Sequence, residues 1–260
     1  FLKLNNSDNH RFFADLNEDD FSGNITAELK SKNTESAFKT LQFGFQGRYK
    51  ARVFNSRQFE TKIGLNPVFN LNQVDLYLND NNLGSGDDAN TFRYDESYYA
   101  PNNYEADLMI AASFVNFNFE FNKKLKLIAG VRAEYSEQNT YYKLGSQTYD
   151  SPFRVKTIDG LDILPALTLK YALDDKSNVL FAASKTISRP QFVEAAPFRY
   201  NVGFGIAEVE GNPDLVNSDN YNVDLKYEIY PSSGEILAVS LFGKYIDKPI
   251  ELSQVNSADP

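Results

Sequence analysis

Residues 109–135 read MIAASFVNFNFEFNKKLKLIAGVRAEY, and apolar and polar side chains alternate on both sides of a short polar break in this stretch. The odd-numbered positions are mostly apolar over residues 109–121 and again over residues 125–135, and Asn-Lys-Lys at 122–124 separates the two runs. Alternation with a period of two is typical of β-strands. Two such strands around a three-residue turn predict an antiparallel hairpin with one apolar and one polar face.

Three other parts of the chain repeat this pattern. Their paired apolar runs cover residues 25–29 and 41–53, residues 163–169 and 179–183, and residues 221–229 and 237–245. A short turn lies between the two runs of each pair. We therefore predict an all-β, antiparallel fold of four hairpins, and so of about eight strands.

The connections between the predicted hairpins are much longer than the turns within them. We predict these connections over residues 54–103, 143–160 and 189–218. Loops beyond about 12–15 residues are uncommon in compact domains, whereas transmembrane β-barrels of the outer membrane alternate short periplasmic turns with long extracellular loops. A soluble β-sandwich also alternates apolar and polar residues, but it has no reason to place every long loop at one end. The pattern favours a transmembrane β-barrel.

The polar face of the predicted strands is rich in charge. It carries Arg48, Lys50, Arg52, Glu120, Arg132, Glu134, Asp224, Lys226 and Glu228. The packed interior of an eight-strand barrel would have to pair almost all of these charges, whereas a wide, wet lumen solvates them. We therefore predict a barrel fragment of about eight strands, with even-numbered residues facing the lumen and odd-numbered residues facing lipid.

Composition argues against several classes of function. The chain has no Cys and only one His, so disulfides, thiolate metal sites and His clusters are excluded. That residue, His10, lies in a polar N-terminal stretch and does not suggest a Ser-His-Asp set. The net charge of -9 argues against nucleic acid as a partner. We expect no catalytic residue, no cofactor and no enzymatic activity.

Five lumen-facing charges are the candidate site residues, and we expect them to face a ligand or a plug domain: Arg48, Arg52, Arg132, Glu134 and Asp224. The alternative interpretation is that these charges form salt bridges which keep neighbouring strands in register. Opposite charges on adjacent strands stabilise a sheet in that way.

The acidic stretch 71–107 contains weak candidates for a calcium site, namely Asp80, Asp87 and Asp88. Ca²⁺ takes six to eight oxygen ligands, which clustered carboxylates supply. The spacing does not fit the EF-hand pattern, so a solvated extracellular loop is the competing interpretation.

Three stretches resemble a known family. Residues 184–200 read SKTISRPQFVEAAPFRY, residues 210–251 read EGNPDLVNSDNYNVDLKYEIYPSSGEILAVSLFGKYIDKPIE, and residues 127–135 read LIAGVRAEY. They resemble the late barrel strands of TonB-dependent outer-membrane receptors. The opening residues and the style of the loops are most similar to the Bacteroidetes branch of that family.

The resemblance implies a barrel of about 22 strands in the bacterial outer membrane, of which residues 1–260 would be a partial domain. It also implies a separate plug domain and nutrient uptake energised by the TonB complex acting through that plug. The further partners implied are an extracellular ligand (a siderophore, glycan or peptide), outer-membrane lipid and a surface lipoprotein that lids the barrel. Two alternatives stay open: a barrel for adhesion or assembly without TonB coupling, and a soluble β-rich domain.

Overall fold

Eight long β-strands make up most of the computed structural model, which describes residues 10–32, 37–63, 71–76, 78–84, 92–97, 103–145, 147–148, 150–197, 199–200 and 209–253. Within these ranges the strands are β1 (His10–Lys30), β2 (Phe38–Ile63), β3 (Phe92–Ser97), β4 (Tyr104–Glu120), β5 (Leu125–Tyr142), β6 (Arg154–Ala172), β7 (Ser177–Ser188), β8 (Arg199–Tyr200), β9 (Val209–Glu210), β10 (Ser218–Ile229) and β11 (Leu237–Asp247).

Two short 3-10 helices, Leu71–Leu76 and Asp80–Asn82, lie in the connection between β2 and β3. Asn79 caps the second one, because its side chain accepts a hydrogen bond from the Asn81 backbone N–H at 3.0 Å. Neither helix of the described part of the chain has the length and apolar character needed to cross a membrane.

The long strands pair in chain order. The order across the sheet is β1-β2-β4-β5-β6-β7-β10-β11, and every pair is antiparallel. β3 pairs with the far end of β2 beyond β4, while β8 and β9 form a separate two-stranded ladder. Among the described residues the sheet is not closed, since β1 and β11 stand at its two edges. The predicted antiparallel fold of four hairpins and eight strands is confirmed.

The register places the even-numbered residues of the eight long strands on one face. Apart from a bulge at Phe38, each of these pairs joins residues of equal parity, such as Arg132 with Phe114 on one side and with Leu164 on the other. We call the even-numbered residues the lumen face and the odd-numbered residues the lipid face.

The lipid face is apolar near the short turns and becomes acidic at one level further out. On β4 the odd residues from Phe119 to Met109 carry no charge, and a carboxylate follows at 107. The first carboxylates on the lipid face, counted from the short turns, are Asp19, Asp107, Glu137, Asp159, Asp219 and Asp247. Residues 109–119 span about 34 Å of strand, which is about 24–28 Å in height at a tilt of 35–45° and matches the apolar band of outer-membrane barrels.

Large apolar side chains of the lipid face point outward without protein cover. Ile25 is 77% exposed, and Phe45 and Leu161 are each 67% exposed. A monomeric soluble protein rarely exposes so continuous an apolar surface. Contact with lipid would remove the cost of that exposure, and the hydrogen-bonded ladders pair most of the backbone of the sheet, as a wall that faces lipid requires.

Three strands are longer than predicted. β1 starts at His10, β2 ends at Ile63 and β6 starts at Arg154, so the predicted connections 54–103 and 143–160 are too wide. Most of the extra residues lie beyond the apolar band, where both faces of the sheet meet water and alternation no longer marks a strand. Backbone pairing continues there without it.

β6 and β7 pair only near their short turn. Their register ends at the row that joins Ala166 with Ser184, although β6 continues to Arg154. The next residue of β6 is Pro165, which has no N–H to donate to a neighbouring strand. The upper part of β6 therefore has no ladder to β7, and β7 ends after 12 residues.

The turn after β6 is stabilised by Asp174. Its Oδ1 accepts a hydrogen bond from the Lys176 backbone N–H at 2.8 Å, and this bond, with help from Ser177, lowers the pKa of Asp174. A carboxylate whose pKa falls on folding stabilises the folded state above its unfolded pKa of about 3.9, and that contribution disappears as the pH falls through the folded value.

We therefore expect Asp174→Ala to lower the resistance of the full-length protein to urea at pH 7. The difference from wild type should persist at pH 5 and shrink below about pH 4, because protonation removes the same acceptor charge from the wild type. Asp175→Ala, which removes the neighbouring exposed carboxylate, is the control. Equal loss of urea resistance in the two variants would contradict the assignment.

Candidate functional site

Residues 189–197 leave the sheet after β7 and lie against the lumen face. We call this segment the strap. Several of its side chains are buried: Phe192 is 6% exposed, and Ala195 and Ala196 are almost fully covered. The strap begins the long connection between β7 and β10, so it joins that connection to the wall of the barrel.

Glu134 on β5 fixes the start of the strap. Its carboxylate is 6% exposed and pairs with the guanidinium groups of both Arg132 and Arg189. The Nε of Arg189 also donates to the Ser136 hydroxyl at 3.2 Å, and the Gln138 side-chain amide donates to the carbonyl of Pro190 at 3.1 Å. Hydrogen bonds between charged groups are about twice as strong as neutral ones, so Glu134 is the strongest polar contact of the strap.

An apolar contact fixes the middle of the strap. Phe192 and Ala196 pack with Tyr104, Ala106 and Leu108 of β4 in one buried cluster. Covering a side chain of this size contributes about 1.5–3 kcal/mol. The guanidinium of Arg52 lies 5.3 Å from the centroid of the Phe192 ring, a cation–π geometry worth about 0.5–1 kcal/mol at a partly exposed site.

The chain returns to the strap at Gly211. A Cβ atom at this position would lie 2.1 Å from the carbonyl oxygen of Ala196 and 2.5 Å from that of Val193. The next residue, Asn212, donates its backbone N–H to the carbonyl of Glu194 at 2.8 Å. Only glycine permits this approach, so the chain that follows β9 lies directly against the strap.

A ladder of ion pairs joins β1 and β2 on the lumen face. Arg48 Nη2 lies 2.5 Å from Asp20 Oδ2, Lys50 Nζ lies 2.8 Å from Glu18 Oε1, and Arg52 pairs with the other oxygen of Glu18. These groups are partly solvated, so each pair contributes about 0–1 kcal/mol. In the strand register residue 18 faces 52 and residue 20 faces 50, so Arg52 pairs with the residue directly opposite, and Arg48 and Lys50 each pair with the next residue on the same face.

The structure brings three of the five candidate site residues to the strap. Glu134 pairs with its first residue, Arg132 pairs with Glu134 from the wall, and Arg52 stacks on its phenylalanine. Arg48 belongs to the β1–β2 ladder. Asp224 is exposed on the lumen face of β10, opposite Ala182 and Phe242, and it pairs with no other side chain within the described ranges.

The weak calcium candidates are only partly described. Asp80 is exposed in its short helix, while Asp87 and Asp88 lie outside the described residues. In the part of the chain that the structure describes, no group of three or more His, Cys, Asp or Glu side chains is arranged to hold a metal ion. Calcium binding at this loop stays a prediction.

None of Arg189, Phe192 and Gly211 is predicted from the sequence as a site residue. The Ser-Arg-Pro motif at 188–190 is the one available signal, because an arginine followed by proline at the end of a strand marks a charged exit from the sheet. That signal does not show which wall residue the arginine meets, since Glu134 is 55 positions away in the chain.

The sequence matches the outer membrane protein beta-barrel family over residues 2–259. No curated protein sequence matches the chain. Among solved structures, the siderophore receptor PiuA from Acinetobacter baumannii superposes with a TM-score of 0.52 at 10% identity, covering 88% of this chain and 32% of that one. The ferric yersiniabactin uptake receptor FyuA from Yersinia pestis superposes with a TM-score of 0.46 at 12% identity, covering 90% and 30%.

The chain thus spans about a third of the length of PiuA, and at this identity the likeness shows the fold alone. The family match covers almost every residue. It agrees with the apolar band on the odd-numbered face, whose height matches that of the apolar band of outer-membrane barrels. It places the chain in the bacterial outer membrane and excludes the soluble β-rich alternative. This chain belongs to the outer membrane protein beta-barrel family.

Proposed function

We propose that the chain is part of the barrel of a TonB-dependent receptor that takes up a scarce nutrient, and that its long connections capture the ligand outside the cell. The observation that carries the proposal is the strap. A barrel that serves only as a membrane anchor has no need to fold an extracellular connection onto its lumen face. A receptor does, because it must bring captured ligand from its loops to its interior.

The lumen face supports a large receptor barrel with a plug. Its charges pair along the wall at partly solvated positions, which a wide, wet interior accommodates at little cost. We assign Arg52, Arg132 and Glu134 to holding the strap and Arg48 to strand register. Asp224 is the candidate for contact with the plug or the passing ligand.

A siderophore is the ligand we favour over a glycan or a peptide, because the superposed PiuA is a siderophore receptor. The partners of the full-length protein would be the TonB complex, reached through the plug, and outer-membrane lipid around the odd-numbered face. A lidding surface lipoprotein belongs to the glycan or peptide alternatives, and its co-purification with the receptor would favour them.

The test is uptake by cells that carry or lack the gene for the full-length receptor. We expect cells that carry it to accumulate iron presented as radiolabelled ferric hydroxamate or ferric catecholate siderophores, and the deletion strain to lose one of these activities. A protonophore or loss of TonB should abolish accumulation while binding at the cell surface remains.

Other outcomes separate the alternatives. Accumulation that persists without TonB would reject energised uptake. No loss of either siderophore, together with lost growth on a glycan or peptide, would keep the receptor and change the ligand. Loss of adhesion or of surface assembly, with all uptake intact, would favour a barrel without TonB coupling.

A further inference from the structure

The β8–β9 ladder is flanked in the chain by the strap on one side and by residues that contact the strap on the other. β8 begins two residues after the strap ends, and the residues that follow β9, Gly211 and Asn212, lie against the strap carbonyls. Between these points β8 and β9 pair, with Arg199 opposite Glu210. We call the β8–β9 ladder the outer excursion. Its position therefore depends on where the strap lies.

The start of the strap in turn is held mainly by one carboxylate. The remaining polar contacts of its first two residues are single neutral-partner bonds, from Arg189 to Ser136 and from Gln138 to Pro190. Glu134 forms salt bridges with two guanidinium groups, that of Arg132 on the wall and that of Arg189 in the strap. Breaking a desolvated ion pair from one side leaves such a charge uncompensated, which favours movement of the strap into solvent.

We infer that Glu134 is a positioning residue: by binding Arg189 it holds the strap on the lumen face, and the strap sets the place of the outer excursion. The positioning follows from the contacts above. The further claim that the excursion captures ligand rests on the proposed function.

Thiol labelling of the full-length receptor in outer membranes tests this inference. The chain has no cysteine, so Val193→Cys in an otherwise cysteine-free receptor reports on the strap, where Val193 packs against the buried cluster. We expect Glu134→Gln to raise the labelling rate by about tenfold or more, since it removes a charge-assisted contact and keeps the side-chain shape. The folded fraction, measured as heat-modifiable migration, should stay unchanged.

The matched control is Glu120→Gln. Glu120 is a lumen-face carboxylate whose pair, Lys126 Nζ, lies 2.7 Å away across β4 and β5 and does not belong to the strap. In the Glu120→Gln variant the labelling rate of the cysteine at position 193 should stay within about twofold of wild type, because distant sites act independently. If Glu134→Gln and Glu120→Gln label alike with folded barrels, Glu134 does not position the strap.

Two further variants keep the inference falsifiable. Should Glu134→Gln fail to assemble, Arg189→Gln decides, because it breaks the same contact and leaves Glu134 paired with Arg132; unchanged labelling there overturns the inference. A spin label at Val209 in β9 should gain mobility together with Val193, and a Val209 label that stays unchanged would show that the strap does not set the excursion. None of these measurements needs ligand or TonB, so they can succeed even if the uptake test fails.

Discussion

Replacing Val223 with arginine is expected to cost the folded barrel about 2–4 kcal/mol, because it places a charge near the centre of the lipid-facing band. Val223 lies on the lipid face of β10, midway between the short turn and the acidic level at residue 219, and is 47% exposed. The effect should appear as loss of the heat-modifiable folded form of the full-length receptor in outer membranes, and as a lower urea midpoint of whatever assembles.

The control is the neighbouring substitution Asp224→Arg, which adds the same side chain on the opposite face of the same strand. Asp224 is exposed on the lumen face, where water solvates the new charge, so assembly should be retained. Leu127→Arg tests depth, since Leu127 is the third residue of β5 from the short turn and should cost only about 0–1 kcal/mol. Equal losses at Val223 and Asp224 would reject the assignment of faces.

Gly44→Ala is expected to destabilise the barrel by about 1–3 kcal/mol, the usual cost of overpacking. An added Cβ at Gly44 would lie 2.4 Å from the backbone oxygen of Ile25 and 3.0 Å from the Phe114 ring, which covers this glycine from the next strand. The backbone of β1 cannot yield without loss of pairing with β2. The measurement is urea unfolding of the purified full-length protein.

Gly47→Ala on the same strand is the matched control, because a Cβ at this position meets nothing within 4 Å. It should be neutral or stabilise by up to about 1 kcal/mol, since alanine loses less conformational freedom than glycine in a strand. The two substitutions are chemically identical and differ in sign. A shared sign would mean that the close approach at Gly44 does not limit packing.

Much of this fold can be predicted from sequence because lipid and lumen impose opposite demands on successive residues. Alternation around 122–124 and in the other hairpins locates the strands and assigns their faces. Prediction becomes unreliable at His10 and Arg154, where β1 and β6 extend beyond the membrane and both faces meet the same solvent. There the strand is defined only by its backbone hydrogen bonds, which impose no alternation on the side chains.

The site is predicted only in part, for a different reason. Arg132 and Glu134 stand out as charges on a strand whose other face is apolar, so they can be found by parity. Arg189 meets Glu134 only because the chain turns inward after Ser188 and covers the wall of a strand far away in sequence. Alternation and composition do not predict a contact between residues so far apart in the chain. A single sequence likewise gives no sign that Gly211 lies close to the strap.

The short length of β7 gives the mouth of the sheet an uneven rim. β2 has 26 residues above its short turn and β7 has 12, so their ends differ by about 33–38 Å in height at the usual rise and tilt. The low side of the rim lies where the strap enters. On that side we therefore expect a molecule diffusing along the cell surface to meet the connection between β7 and β10 first. On the β2 side the molecule meets long, hydrogen-bonded strands instead. Access to the interior is directional.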